Sequence, residues 1–414
     1  MNRNFELLSP AGDFERLETA LRFGADAVYC GGPMLQLRAG NVAFSMEELE
    51  KGIQLAHGMG KKVYVTVNAF AYNEEIAAAK DYAQTLKGIG ADGVIVSDLG
   101  LIAAIRKAAP ELDVHVSTQA NCLNYGAANA YYDMGVKRIV LAREMSLNQI
   151  RELRQRIPDD LELEAFVHGA MCMSYSGRCM ISAYLTGRSG NRGECTQSCR
   201  WTYHLMERTR DGEFFPVEED ERGTTILSSF DLNCLDFIDQ LMDAGVCSFK
   251  LEGRMKSPFY VATVTNAYRR RIDGILAGQS VQQQKEMREL LQRELRAASH
   301  RPYCSGFYFG QLKRHKSDDG VYLQDTTFVG VVRGVMGGRI AVEIRNRIFE
   351  GETIEVLSPD SLNLSFAARN ICDDNGPVQA ASRPGELYTM DCDVKVAPGD
   401  LLRIRIATRD PKYI

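Results

Sequence analysis

Four stretches decide the architecture: GADAVYCGG (24–32), GADGVIVSD (90–98), GVKRIVLARE (135–144) and GVCSFKLEGR (245–254). In each, a glycine closes a helical segment and a short run rich in Val or Ile follows. Glycine just past a helix end takes the left-handed conformation without a Cβ penalty, and a continuous β-branched run marks a strand buried on both faces. Between them lie further apolar runs: ELLSPAG (6–12), KVYVTVNAF (62–70), DVHVSTQA (113–120) and LELEAFVHG (161–169). Eight strands are therefore expected, starting near residues 6, 26, 62, 93, 113, 138, 161 and 247. Strands alternating with amphipathic helices make a parallel α/β sheet, and eight units over about 250 residues fit a (β/α)8 TIM-like barrel.

The segment GIGADG (88–93) matches a dinucleotide-binding fingerprint in letters only. Its glycines precede a strand instead of following one and opening a helix, so it reads as a barrel turn.

The gap between the seventh and eighth strands is too long for one helix and predicts an insertion, residues 170–225, inside a barrel spanning 1–278. An amphipathic segment, VQQQKEMRELLQRELRAASHR, starts at 281 and makes 279–319 a helical linker. From 320 to 414 the texture changes to short alternating strands with GG, EG and PGD turns, which predicts a small C-terminal all-β barrel domain.

The 414 residues are 45% hydrophobic and 25% charged, an ordinary globular composition. The opening MNRNFELLSPAG has no apolar targeting segment, and no run reaches membrane-span length, so no membrane association and a cytoplasmic location are expected. In that compartment thiols stay reduced, and the 11 cysteines invite a metal reading before a disulfide one. Seven are scattered, as small buried hydrophobes are. The other four, Cys172, Cys179, Cys195 and Cys199, fall within 28 residues of the insertion. Four thiolates suit tetrahedral zinc or an iron–sulfur cluster. Structural zinc favours tight pairs, which only Cys195 and Cys199 form. The wide first spacing, amid Ser174, Ser176, Gly177 and Gly193, favours backbone wrapped around a larger cluster.

Active sites of such barrels lie at the C-terminal strand ends. Here those ends carry Ser9, Asn68, Asp98, Gln119, Asn121, Arg143, Glu144, His168, Glu252 and Arg254. Arg143 and Arg254 could clamp the carboxylates of a small anionic molecule. His168, four residues before Cys172, would sit near both cluster and pocket. Glu144 and Glu252 could equally form structural ion pairs. The motifs of zinc proteases, serine hydrolases and P-loop proteins are absent.

Net charge is −5, yet Lys250 to Lys316 holds 14 Lys and Arg against 5 Asp and Glu. Arg269, Arg270 and Arg271, with Lys313, Arg314 and Lys316, could line a path for a phosphate backbone, or form a solvated helix face.

The stretch EAFVHGAMCMSYSGRCMIS (164–182) resembles the signature of the collagenase-like peptidase family U32. So do NRGECTQSCRW (191–201), LLSPAG (7–12) and KLEGRMKS (250–257), and the resemblance runs over essentially the whole chain. Despite the family's label, several branches resemble iron–sulfur proteins of oxygen-independent hydroxylation, acting on ubiquinone, a ribosomal cytidine or a tRNA wobble uridine. CRW after Cys199 and the appended β domain look most like the tRNA branch. The resemblance implies a cluster of the 4Fe-4S type on Cys172, Cys179, Cys195 and Cys199, with Cys234 as a lower-ranked neighbour. It also implies prephenate as hydroxyl donor and 5-hydroxyuridine in tRNA as product; position at the strand ends, not the resemblance, puts His168, Arg143, Glu252, Arg254, Asn68 and Gln119 in the pocket. Three readings follow: that tRNA hydroxylase, a collagenase-like peptidase, or a non-catalytic RNA-binding component of a modification complex. A protein partner or a homo-oligomer fits any of them.

Overall fold

The computed structural model describes residues 5–37, 43–172, 176–177, 181–188, 190–198, 205–206, 214–215, 218–220, 223–225, 230–310 and 322–408. The chain divides into two compact units: Met1–Leu21, Ala25–Lys256 and Arg301–Tyr322 make the first, and Arg22–Gly24, Ser257–His300 and Leu323–Ile414 the second.

In the first unit, strands β1 (Glu6–Pro10), β2 (Ala27–Gly31), β3 (Lys62–Val67), β4 (Gly93–Val96), β5 (Asp113–Val116), β6 (Arg138–Val140) and β7 (Glu162–Ala170) pair in sequence order, all parallel. A short strand, β8 (Asp231–Asn233), follows the insertion, and β9 (Ser248–Leu251) closes the ring. Its Ser248 pairs in parallel with Glu6 on one side and Glu164 on the other. Every strand expected from sequence is present within one residue of its predicted start. The β2, β4 and β9 residues are buried throughout, as strands between an inner core and outer helices must be. Gly88 ends helix Glu75–Gly88 and Gly93 opens β4, so GIGADG is a barrel turn.

Strand β8 was not expected. It lies antiparallel on the end of β7, Asn233 opposite His168, and pairs in parallel with Tyr303–Cys304. Its three residues lack the length and periodicity that make a strand visible in sequence.

The barrel interior is polar along one line. Arg138 Nη1 reaches Glu6 Oε1 at 2.5 Å and Glu164 Oε2 at 3.1 Å, and Lys250 Nζ reaches Glu164 Oε1 at 2.7 Å. Charges removed from water persist when each meets an opposite charge and a hydrogen bond, and here each does. Burial by itself would raise the Glu6 carboxyl, but the charge and hydrogen bond of Arg138 prevail and hold it below the usual range.

The second unit is an eight-stranded antiparallel sheet with two helices, Pro258–Leu276 and Val281–Leu295. Thr326–Met336 and Arg339–Ile344 form a hairpin around Gly337 and Gly338, and Val332, Val342, Ile354, Phe366 and Leu402 are buried in its core. Arg403 Nη2 bonds Glu294 Oε1 at 2.8 Å, tying the second helix to the sheet.

Candidate active site

A cavity of about 240 Å³ opens at the C-terminal ends of the barrel strands. Five of the six predicted pocket residues line it: Asn68, Gln119, Arg143, Glu252 and Arg254. Arg143 lies over the Phe166 ring, 3.9 Å from its centre, and donates from Nη1 to the Ala170 carbonyl at 2.9 Å. Its Nη2 stands 3.9 Å from Glu252 Oε2. Arg254 is buried and donates from Nη1 to Thr66 Oγ1 at 3.1 Å and Gln36 Oε1 at 3.3 Å. Two planar cations thus line one cavity, in orientations set by neighbours.

Lys250 and Tyr29 are among the wall residues that sequence reasoning missed. Lys250 lines the cavity, its ammonium 4.3 Å from the centre of the Tyr29 ring. Burial lowers the Lys250 pKa, against the attraction of Glu164. Tyr29 donates its hydroxyl to the Leu251 carbonyl at 2.9 Å and stands 3.3 Å from Glu252 Oε2. Burial, with the Glu252 charge next, pushes the Tyr29 hydroxyl well above its ordinary pKa, so it remains a proton donor. Strand alternation carries the signal: Ser248, Lys250 and Glu252 share one face. Together Arg143, Lys250, Arg254 and Lys256 face one carboxylate, Glu252, among the described lining residues, and the wall suits an anion.

The cysteine-rich insertion forms the other wall. Cys172 and Cys195 both line the same cavity, and Ser182 Oγ lies 3.9 Å from Cys195 Sγ. Cys179 and Cys199 lie outside the described residues, and among the described ones no three His, Cys, Asp or Glu side chains group as metal ligands. The donor chemistry nevertheless fits a thiolate-held group, since two soft ligands from separate parts of one motif reach one space.

Three contacts seat the insertion. The Ser176 N–H donates to Glu144 Oε1 at 2.9 Å. Gly177, at φ +70°, passes so close to Gln119 that an added Cβ would lie 2.0 Å from the Gln119 carbonyl oxygen. Arg192 donates to the Phe70 carbonyl at 2.7 Å and pairs with Glu75 at 3.2 Å. The mouth loops after β3, β5 and β6 therefore each hold part of it.

Residues 12–318 match the family model for peptidase family U32, and residues 324–403 match the model for the family's C-terminal domain. The chain belongs to peptidase family U32. It is 36% identical to tRNA hydroxylation protein P of Escherichia coli, over 93% of this chain and 92% of that protein. Tho tRNA hydroxylation protein P1 of Bacillus subtilis is 37% identical over 96% and 94%. The 23S rRNA 5-hydroxycytidine C2501 synthase of Escherichia coli is 38% identical over 66% of this chain and 40% of that protein.

In this U32 chain several predicted residues do other work. His168 is 1% exposed, pairs with Asn233 of β8, has its ring 5.4 Å from that of Tyr303, and is not a lining residue. Asp98 caps helix Leu99–Ala108 by accepting from Leu101 N–H, and Asn121 takes a left-handed turn at φ 55°. Ser9 is fully buried. Cys234 is buried beside Cys304, away from the cavity wall, and burial drives its thiol pKa well up.

The arginine run requires a correction. Arg269, Arg270 and Arg271 sit in helix Pro258–Leu276 but do not form a solvated basic face. Arg271 is 1% exposed and donates to Gln284 Oε1, Arg270 donates to the Pro359 carbonyl at 2.7 Å, and Arg269 pairs with Asp273 at 2.6 Å. Arg270 and Arg271 staple the second unit, because their long stems bury well when the heads find internal acceptors, whereas Arg269 makes an i,i+4 pair along the helix with the exposed Asp273. Lys313, Arg314 and Lys316 lie outside the described residues.

Among the described residues, no helix is long and apolar enough to cross a membrane.

Proposed function

We propose that this U32 protein is an RNA hydroxylase whose substrate is tRNA, converting a wobble uridine to 5-hydroxyuridine without molecular oxygen. The observation that carries the reading is the shared cavity: Cys172 and Cys195 face the same 240 Å³ space as Arg143, Lys250 and Arg254. The named activities of its relatives, hydroxylation of tRNA and of a ribosomal cytidine, support it.

Cys172, Cys179, Cys195 and Cys199 would hold an iron–sulfur cluster of the 4Fe-4S type. When bound, it would supply the one-electron chemistry that hydroxylation without oxygen requires. The protein's own side chains do the rest. Arg143 and Arg254 hold the carboxylates of an anionic hydroxyl donor, for which prephenate is our candidate, and Lys250, paired with Glu164, lines the same cavity. Tyr29, kept neutral by burial, offers a proton near Glu252. The target uridine has to leave its stack to enter, so the flanking RNA supplies most of the affinity.

The test is nucleoside mass spectrometry of tRNA from a strain lacking this chain, complemented with wild type or with Cys172→Ala. Loss of 5-hydroxyuridine restored only by wild type is the expected result. Unchanged 5-hydroxyuridine would overturn the reading. Zinc with peptide cleavage would instead mark a collagenase-like peptidase, and RNA binding without turnover a non-catalytic component.

A further inference from the structure

Tyr72 lies just after β3, the strand whose end supplies Asn68 to the cavity, and the residue is 57% exposed. Single exposed apolar side chains are ordinary on protein surfaces. This one is held rigid. The Arg192 guanidinium covers one face of the ring, its carbon 3.8 Å from the ring centre. Arg192 is itself fixed by the Phe70 carbonyl at 2.7 Å and by both oxygens of Glu75 at 3.2 Å. The Tyr72 N–H donates to the same carboxylate at 2.7 Å, so three groups lock one another. Arg192 comes from the insertion, between Gly190 and Cys195, both of which line the cavity. The assembly therefore stands at the rim, where the insertion meets the β3 loop.

We propose that Tyr72 is a stacking platform for an unpaired nucleobase next to the nucleotide that enters the cavity, with Arg192 as the plate behind it. This rests on the tRNA reading above and adds where the RNA lies. The occupant follows from the chemistry offered. Glu75 already neutralises Arg192, so the site presents a flat polarised π-face and no spare positive charge for a phosphate. Bases stack on such rings irrespective of sequence, and a guanidinium behind the ring keeps it flat and oriented. A nucleotide flipped from a loop leaves its neighbour without a stacking partner on one side, and an exposed rigid ring replaces that partner.

The experiment uses the full-length protein and a stem-loop RNA carrying a fluorescent adenine analogue beside the target uridine. Wild type and Tyr72→Phe should quench the analogue and bind alike. Tyr72→Ala should abolish quenching and weaken binding about ten-fold. Because no phosphate contact is removed, the slope of affinity against salt should stay unchanged in Tyr72→Ala, which a general loosening of the RNA surface would not leave intact. Unaltered quenching and affinity in Tyr72→Ala, with wild type binding normally, would overturn the platform and leave the tRNA reading standing. Absence of RNA binding by wild type would overturn both.

Discussion

Lys250 Nζ and Glu164 Oε1 are 2.7 Å apart inside the barrel, with side-chain exposures of 5% and 0%. They are 86 residues apart in the chain and meet because β9 pairs with β7. Removing one member of such a pair leaves a buried charge uncompensated, at a cost of about 3–5 kcal/mol. Glu164→Gln should therefore lower the thermal midpoint sharply, whereas Glu164→Gln with Lys250→Met should recover much of the loss. Differential scanning calorimetry of the two variants checks this; equal midpoints for both would refute it.

His115 supplies a pH dependence. Its ring packs against Tyr64 at 4.5 Å and is 1% exposed. Burial first, and then Arg138 and Lys250, holds its pKa well below the ordinary 6.5. The unfolded chain therefore binds a proton that the folded chain refuses. Stability is fully present above pH 6.5 and declines as pH falls below it, towards the depressed folded value. His115→Gln should flatten that decline in thermal unfolding measured between neutral and mildly acid pH.

Cluster retention separates the cysteines by position. Anaerobic protein should carry iron and acid-labile sulfide, and Cys172→Ala or Cys195→Ala should lose both. Cys372→Ser, in the second unit, should keep them. Cys30, buried in β2 and not among the cavity-lining residues, should be dispensable for the cluster; burial lifts its thiol to about 12. Stoichiometric zinc without labile sulfide in wild type would defeat the assignment.

Arg143 and Arg254 test the anion pocket. Lysine keeps the charge but loses the planar fork and the stack on Phe166. Arg143→Lys should raise the dissociation constant for prephenate about ten-fold while the fold persists. Arg254→Lys should weaken it as well and lower stability, since Thr66 and Gln36 lose a donor. Calorimetric titration with unchanged affinity in both variants would place the anion elsewhere.

The arginine run should respond as structure, not as RNA surface. Arg271→Ala removes a fully buried side chain and should destabilise the protein by about 2–4 kcal/mol. At a temperature where the variant is folded, its salt dependence of tRNA binding should match wild type. A slope reduced by about one would restore Arg271 as a phosphate contact.

Much was legible in sequence because it is local. A glycine after a helix and a β-branched run behind it announced four of the eight barrel strands, and further short apolar runs announced the other four. A crowd of thiols in an over-long crossover announced the insertion and placed Cys172 and Cys195 near the mouth. Strand ends pointed to Asn68, Gln119, Arg143, Glu252 and Arg254, since barrel geometry puts them on one face. The rest depends on partners distant in the chain. Only ring closure set Lys250 against Glu164 and turned Tyr29 towards Glu252. Only the tertiary fold shows His168 buried against Tyr303 and not lining the mouth. Only the packing of helix Pro258–Leu276 turned Arg270 and Arg271 from part of a charged face into internal staples. Periodicity encodes which residues share a face, but the free energy of burying a charge is set by the acceptor it meets. That acceptor is supplied by tertiary structure.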